Sequence, residues 1–222
     1  MAPTRPTTQI YLVIETGPTA SARLAAVLAG THGVTALLIR PGAAPLDATA
    51  ARPLVEQAQK SNVAALIEGD PALARALRAD GVHLPWSPTL RAAYDDARDI
   101  LGTRFMVGVG IATDAEQARH DAMELAEAGA DYIGFEPSAS ATPIAEAATA
   151  QTEFAAWWAE IFQVPCVIFG IDTVVDANDF AALGVDFLGI NLPSGETPAD
   201  SAARITEIAA DVRPAPRVGA RR

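Results

Sequence analysis

The stretch ALIEGDPALARALRADGVHLPW, Ala65–Trp86, decides the fold. It reads as strand, turn, helix, turn, strand. The apolar run VAALI (Val63–Ile67) meets a turn, and Asp70 with Pro71 then opens a helix. Aspartate as N-cap and proline at the first helical position are a strong start signal. The helix stops at Arg78–Asp80, and the short apolar run GVHL (Gly81–Leu84) follows. The closing phrase RADGVHL (Arg78–Leu84) recurs in kind as AGADYIGF (Ala128–Phe135) and LGVDFLGI (Leu183–Ile190). Each is a helix-ending turn with Gly or Ala, then Asp, then a strand.

Working outward, the same alternation covers the chain. Apolar runs start near Ile10, Thr35, Ala64, Gly81, Phe105, Tyr132, Cys166 and Phe187. Amphipathic stretches lie between them, at about residues 19–29, 47–60, from 70, 89–101, from a cap at Thr113 or Asp114 to Gly129, 152–162, 175–183 and 198–212. The segment PSASATPIAEAATA (Pro137–Ala150) reads as a long loop of small residues. In TEFAAWWAEIF, Phe154, Trp157, Trp158 and Ile161 recur at i, i+3, i+4 and i+7, one apolar face for core packing. Strands covered on both faces read as continuous apolar runs. Eight strand–helix units in one chain predict an α/β fold, a single (β/α)8 TIM barrel over residues 10–213. Residues 1–9 are expected to form a disordered arm, and the basic PAPRVGARR (214–222) a disordered tail.

Composition narrows the function classes. The chain has 222 residues, half of them hydrophobic, and a formal net charge of −11. That balance argues against a nucleic-acid partner, because phosphate backbones need a basic footprint. No apolar run reaches the length of a membrane span. IYLVI (Ile10–Ile14) is too short for a signal-peptide core. The expected setting is the cytoplasm and the expected partner a small-molecule ligand, with homo-oligomerisation left open. The single cysteine, Cys166, lies in an apolar run and is read as a buried small hydrophobe.

Barrel active sites lie at the C-terminal ends of the strands. The polar residues there are Glu15 and Thr16, Arg40, Glu68 and Asp70, His83, Gly110 and Thr113, Glu136 and Ser138, Asp172 and Thr173, and Asn191 and Ser194. Arg40, His83 and Glu136 are the catalytic candidates. Arg40 is the only cation among these positions, and a carboxylate at a strand end needs a partner or solvent, so Arg40 is expected to pair with a carboxylate. Glu68 and Asp70 are the metal candidates, since hard cations such as Mg2+ take carboxylate oxygens. Asp70 has an equally simple role as a helix cap. No Walker loop, HExxH, CxxC or GxSxG motif occurs.

RADGVHL, then GVGIATDAEQARHDAMELAEAGADYIGFEPSASAT, then VPCVIFGIDTVVDANDFAALGVDFLGI together resemble the thiamine phosphate synthase and TenI-like (thiazole tautomerase) family. The resemblance runs from Tyr11 to about Val212. It implies a single (β/α)8 barrel, small phosphorylated substrates and magnesium. It also implies that any enzyme activity is of the thiamine-phosphate diphosphorylase class, a transferase joining an aminopyrimidine diphosphate to a thiazole phosphate in thiamine biosynthesis. Residue by residue the match is partial. Where the synthases end the second strand in Gln-x-Arg-x-Lys, this chain has Leu38, Arg40 and Gly42. Their Asn-Asp after the third strand is Glu68-Gly69 here, with Asp70 one place late. Their His-x-Gly-Gln is His83-Leu84-Pro85-Trp86. The hydroxyl-rich loop keeps Ser138, Ser140 and Thr142 without a lysine, and the Gly-Gly-Ile phosphate turn becomes Gly170, Ile171, Asp172. The tautomerase histidine position holds Pro137, beside Glu136. The ligand-binding set is Ser138, Ser140, Thr142, Gly170 and Ile171 by resemblance, with Asn191 from its strand end.

Three readings follow. The first is a family member that binds a small, phosphorylated ligand at the mouth, with a degenerate active site and no normal synthase turnover. The second is an active synthase with rewired residues. The third is a different enzyme on the same barrel, using metal or acid–base chemistry.

Overall fold

A computed structural model of the chain describes residues 8–137 and 144–212; the arm, the tail and residues 138–143 lie outside them. The elements follow in strict alternation. They are β1 (Gln9–Glu15), α1 (Ala20–Gly30), β2 (Val34–Arg40), α2 (Ala48–Lys60), β3 (Ala64–Glu68), α3 (Pro71–Leu77), β4 (Gly81–Leu84) and α4 (Leu90–Leu101). Then come β5 (Met106–Ala112), α5 (Ala118–Glu127), β6 (Tyr132–Glu136), α6 (Ile144–Ile161), β7 (Cys166–Phe169), α7 (Val174–Leu183), β8 (Phe187–Leu192) and α8 (Pro198–Asp211). Each strand pairs in parallel with the next, and β1 pairs with β8 from Gln9↔Phe187 to Ile14↔Leu192, closing the barrel.

The repeated aspartates explain why the phrases recur. Asp80 Oδ2 accepts the backbone N–H of Ala65 at 2.8 Å. Asp131 accepts that of Val107 at 2.7 Å, and Asp186 that of Cys166 at 2.9 Å. Each aspartate precedes β4, β6 or β8 and satisfies an N–H at the start of β3, β5 or β7. An open backbone donor there would cost a lost hydrogen bond, so the three residues staple neighbouring strands at the floor of the barrel.

Side chains alternate across each strand. Leu12, Leu37, Ile67, Val82, Val109, Phe135, Ile168 and Ile190 point outward and pack under the helices. Tyr11, Val13, Ala36, Leu38, Leu66, Tyr132, Val167 and Phe169 form the separate inner core. Several inward positions on β5, β6 and β8 are glycines. A Cβ on Gly108 would overlap the Tyr132 ring; on Gly134 or Gly189 it would lie 2.5 Å from the Phe169 ring.

Two helix starts differ from the sequence expectation. α5 begins at Ala118, with residues 113–117 in turns, because Thr113 faces the neighbouring strand: its Oγ1 donates to the carbonyl of Glu136 at 3.4 Å. α6 begins at Ile144, well ahead of the expected start at 152. IAEAATAQ is half Ala, with Glu and Gln beside it, all good helix formers, so its small residues mark helix rather than loop.

Gly108→Ala should destabilise the fold by about 1–3 kcal/mol, the usual cost of overpacking a filled interior. Gly17→Ala, where nothing lies within 4 Å of the added carbon, should change stability little. Urea unfolding midpoints of both variants check this.

Candidate functional site

The inward parity of the strands selects the site. Residue 11 faces the barrel axis, so 13 and 15 on β1 do as well. The same count brings Arg40, Glu68, His83, Glu136 and Asn191 inward at or near the ends of β2, β3, β4, β6 and β8. Closed sheets bring such positions together over one mouth.

Arg40 sits between two carboxylates. Its Nε lies 2.5 Å from Glu68 Oε1, and its Nη2 donates to Glu136 Oε1 at 3.4 Å. The Nε contact is an ion pair by distance without the alignment of a hydrogen bond. The guanidinium carbon lies 5.8 Å from the centroid of the Phe169 ring, within cation–π range. About a quarter of the Arg40 side chain remains exposed. The expected pairing of Arg40 with a carboxylate is therefore present twice.

His83 lies deeper. It is fully buried, and its Nε2 faces Glu136 Oε1 at 3.3 Å. Its Nδ1 is 2.9 Å from the Tyr132 hydroxyl, which in turn is 2.8 Å from the Tyr11 hydroxyl. The imidazole stacks on Tyr132, with centroids 5.7 Å apart and planes 8° from parallel, and meets Phe169 edge-on at 5.2 Å. Room for these groups again comes from glycine: a Cβ on Gly110 would lie 2.9 Å from Glu136 Oε1 and 3.2 Å from His83 Nε2.

Burial pushes the Glu136 carboxyl upward, but the hydrogen bond from His83 and the charge of Arg40 outweigh it and hold the group below the usual carboxylate range. Burial pushes both phenols upward too, and there it prevails, with Tyr132 well above its ordinary value. Glu136 is thus an anion and the two tyrosines are neutral across the ordinary pH range.

The remaining candidates separate. Asp70 caps α3, accepting the N–H of Leu73 at 2.8 Å. Ile171 is buried, and its N–H donates to the carbonyl of Gly189 at 3.1 Å, so it is committed to the sheet. Gly170 adopts a φ of +81°, which suits glycine, and a Cβ there would come within 3.0 Å of Pro137. Asn191 lines a small hollow of about 270 Å3 with Val13, Glu15, Arg40, Leu192 and Pro193. Ser138, Ser140 and Thr142 lie outside the described residues.

A magnesium site is implied by the family resemblance, and the donor set decides whether it fits. Glu68 is held by Arg40, Glu136 Oε1 by His83 and Arg40, and Asp70 by the helix it caps. Among the described residues no three His, Cys, Asp or Glu side chains converge as a metal cluster. Magnesium needs near-ideal oxygen geometry, and this arrangement does not provide it.

Sequence reading passed over four residues. Tyr11 and Tyr132 share inward parity with Glu15 and Glu136, so period-two counting alone could have found them. Arg23 and Arg204 shape the β8 rim. Arg23 is fully buried and donates to the carbonyls of Leu192 and Pro193. Arg204 donates to the Asn191 carbonyl at 2.7 Å and holds Glu196 at 2.8 Å. Arg23 lies far in sequence from the rim it holds and Arg204 on the helix that follows it, and no local pattern marks either.

Comparison with known proteins gives concordant results. The family model described as thiamine monophosphate synthase matches residues 10–191. A thiamine-phosphate synthase of Erythrobacter litoralis is 32% identical over 219 residues, covering 95% of this chain and all of that protein. One from Rhodospirillum centenum is 35% identical over 159 residues, 70% of each chain. Among solved structures, a thiamine phosphate pyrophosphorylase from Pyrococcus furiosus superposes with a TM-score of 0.70 over 94% of this chain and 98% of its own, at 20% identity. A tryptophan synthase of Mycobacterium tuberculosis gives 0.71 at 16% identity over 95% of each chain, a likeness of fold alone.

Because the Glu136 carboxyl is held below its unfolded value, its charge stabilises the fold above the ordinary glutamate pKa of about 4.3. That contribution is lost as pH falls through the lowered folded value. The stability gap between wild type and Glu136→Gln should therefore be widest near neutrality and close at acid pH. Urea midpoints measured across a pH series check the sign.

Proposed function

This chain belongs to the thiamine monophosphate synthase family, and from that premise we propose that its barrel mouth binds a small phosphorylated ligand without the normal joining turnover. One observation carries the reading: Arg40 is already shared between Glu68 and Glu136. Arg40 brings one formal positive charge against the two formal negative charges of Glu68 and Glu136. Joining by the family's chemistry expels a diphosphate, and neutralising the leaving group is usually the largest part of such catalysis. Two like charges about 4 Å apart at an effective dielectric near 20 repel by roughly 4 kcal/mol. A cluster with surplus negative charge and no formed magnesium site is poorly matched to that step. A single phosphate asks for less: Arg40 can turn its exposed edge to the ligand while Glu136 keeps its His83 contact. In this reading Asn191 and the hydroxyls of Ser138, Ser140 and Thr142 complete the binding set, and the scaffold of Gly170 and Ile171 shapes the adjoining turn.

A second reading, an active synthase, is favoured by the comparisons. On the names of the relatives it is the better supported of the two, since the chain covers the Erythrobacter synthase from end to end. It requires Arg40 to exchange both carboxylates for a diphosphate.

The two readings separate in one set of measurements. Purified protein is given the aminopyrimidine diphosphate, the thiazole phosphate and magnesium, and thiamine phosphate is assayed. Thermal shifts are recorded with each compound singly, for wild type and Arg40→Gln. The expected result is no product above background, with a phosphate-dependent rise in melting temperature that Arg40→Gln loses. Turnover comparable to an ordinary synthase would establish the second reading. No thermal shift with any compound would overturn the first.

A further inference from the structure

The deepest polar groups of the barrel form one line from the centre to the mouth: Tyr11, Tyr132, His83, Glu136, Arg40 and Glu68. The contacts of 2.8, 2.9 and 3.3 Å that run from Tyr11 to Glu136 are all side chain to side chain. We propose that Tyr132, backed by Tyr11, is a positioning residue that fixes the His83 imidazole as its Nε2–H tautomer and so orients Glu136 at the mouth.

The direction of the hydrogen bonds follows from the chemistry at one end. An ionised carboxylate can only accept, so His83 Nε2 donates to Glu136 Oε1. A neutral imidazole then presents Nδ1 as an acceptor. The Tyr132 hydroxyl must donate to it, and its oxygen is left to accept from Tyr11. Every hydroxyl proton in the line has a partner. The opposite direction places a second proton on a fully buried imidazole, and it leaves the Tyr11 hydroxyl with no acceptor among the described contacts. Burying an unpartnered hydroxyl forfeits the hydrogen bond it makes in water, which disfavours that arrangement. Tyr132 also fixes the ring plane, because the imidazole lies flat against it.

Simple space-filling does not account for the two hydroxyls. Phenylalanine would fill almost the same volume, and the neighbouring inward position on β7 is Phe169. Three inward glycines, Gly108, Gly110 and Gly134, give up their own side-chain volume beside Tyr132, Glu136 and His83. The interior is shaped around the polar line. The consequence for the mouth lies in one atom: Glu136 Oε1 receives both His83 Nε2 and Arg40 Nη2. A fixed imidazole proton keeps that oxygen in place when Arg40 turns to a ligand. The link to ligand binding rests on the function proposed above; the tautomer does not.

The test is direct, because the chain has only three histidines, His32, His83 and His120. Ring 15N spectra of histidine-labelled, ligand-free protein near neutral pH are assigned with His83→Gln. The expected wild-type pattern for His83 is a protonated Nε2 and an unprotonated Nδ1 that accepts a hydrogen bond. In Tyr132→Phe the Nδ1 signal should move towards the position of an unprotonated ring nitrogen that accepts no hydrogen bond, while a barrel of unchanged circular dichroism remains. Tyr11→Phe should keep the tautomer and shift Nδ1 less; it also serves if Tyr132→Phe does not fold. A protonated Nδ1 in the wild type, or an Nδ1 signal unmoved in both variants, would overturn the proposal. No ligand is present, so failure of the binding reading leaves this result standing.

Discussion

Space inside an eight-stranded barrel is fixed, and what fills it decides everything above it. Here the inner face carries a cluster of rings: Tyr11, Tyr132, Phe169 and His83. They fit only because Gly108, Gly110, Gly134 and Gly189 face them without a side chain. Most barrels fill this volume with layers of branched aliphatics. Exchanging bulk for glycine on β5, β6 and β8 admits polar atoms to the core. Once admitted, those atoms must be paired, because a low-dielectric interior penalises any that are not. The line of contacts from Tyr11 to Glu136 is the consequence of that requirement.

The two ends of the barrel divide the work. At the floor, Asp80, Asp131 and Asp186 close strand backbone donors, and Arg98 ties Asp131 to the carbonyls of Phe105 and Gly129. These contacts fix strand neighbours and do no chemistry. At the mouth, the charged groups share partners: one oxygen serves two donors, and one guanidinium serves two carboxylates. Such sharing leaves groups that can exchange a partner for a ligand. Arg23 and Arg204 stand between these roles, holding the β8 rim rigid from the helices behind it.

Charge at the mouth is what separates the two proposed readings. The family resemblance implies lysines and magnesium aspartates around a diphosphate. This mouth has an arginine already neutralised and a glutamate held as an anion by a buried histidine. The same backbone can therefore support either the joining reaction of the family or selective binding of a phosphate-bearing molecule. Which one it performs depends on how readily Arg40 leaves its carboxylates.

The sequence by itself determined the barrel. Eight apolar runs separated by amphipathic stretches, with Asp-led strands recurring, have one compact solution, and each strand begins within one residue of its expected place. The helices were less legible where composition misled: small residues at 144–151 look like loop but have high helix propensity, and Thr113 bonds across to β6 instead of capping α5. Of the site, Arg40, Glu68, His83 and Glu136 were legible as strand-end polar residues, because a barrel sends such positions to one mouth. Of their partners, only a carboxylate for Arg40 was legible, and not which one. Only closure of the sheet brings Tyr11 within 2.8 Å of Tyr132, residues 121 apart in the chain. The register between neighbouring strands sets Glu68 beside Arg40 and commits the Ile171 N–H to Gly189, while Asp70 stays on its helix as the cap its sequence position offers. Sequence pattern records which face a residue takes, since that follows from a local period of two. Which residue it meets across the barrel depends on register and radius, and those exist only once the last strand has paired with the first.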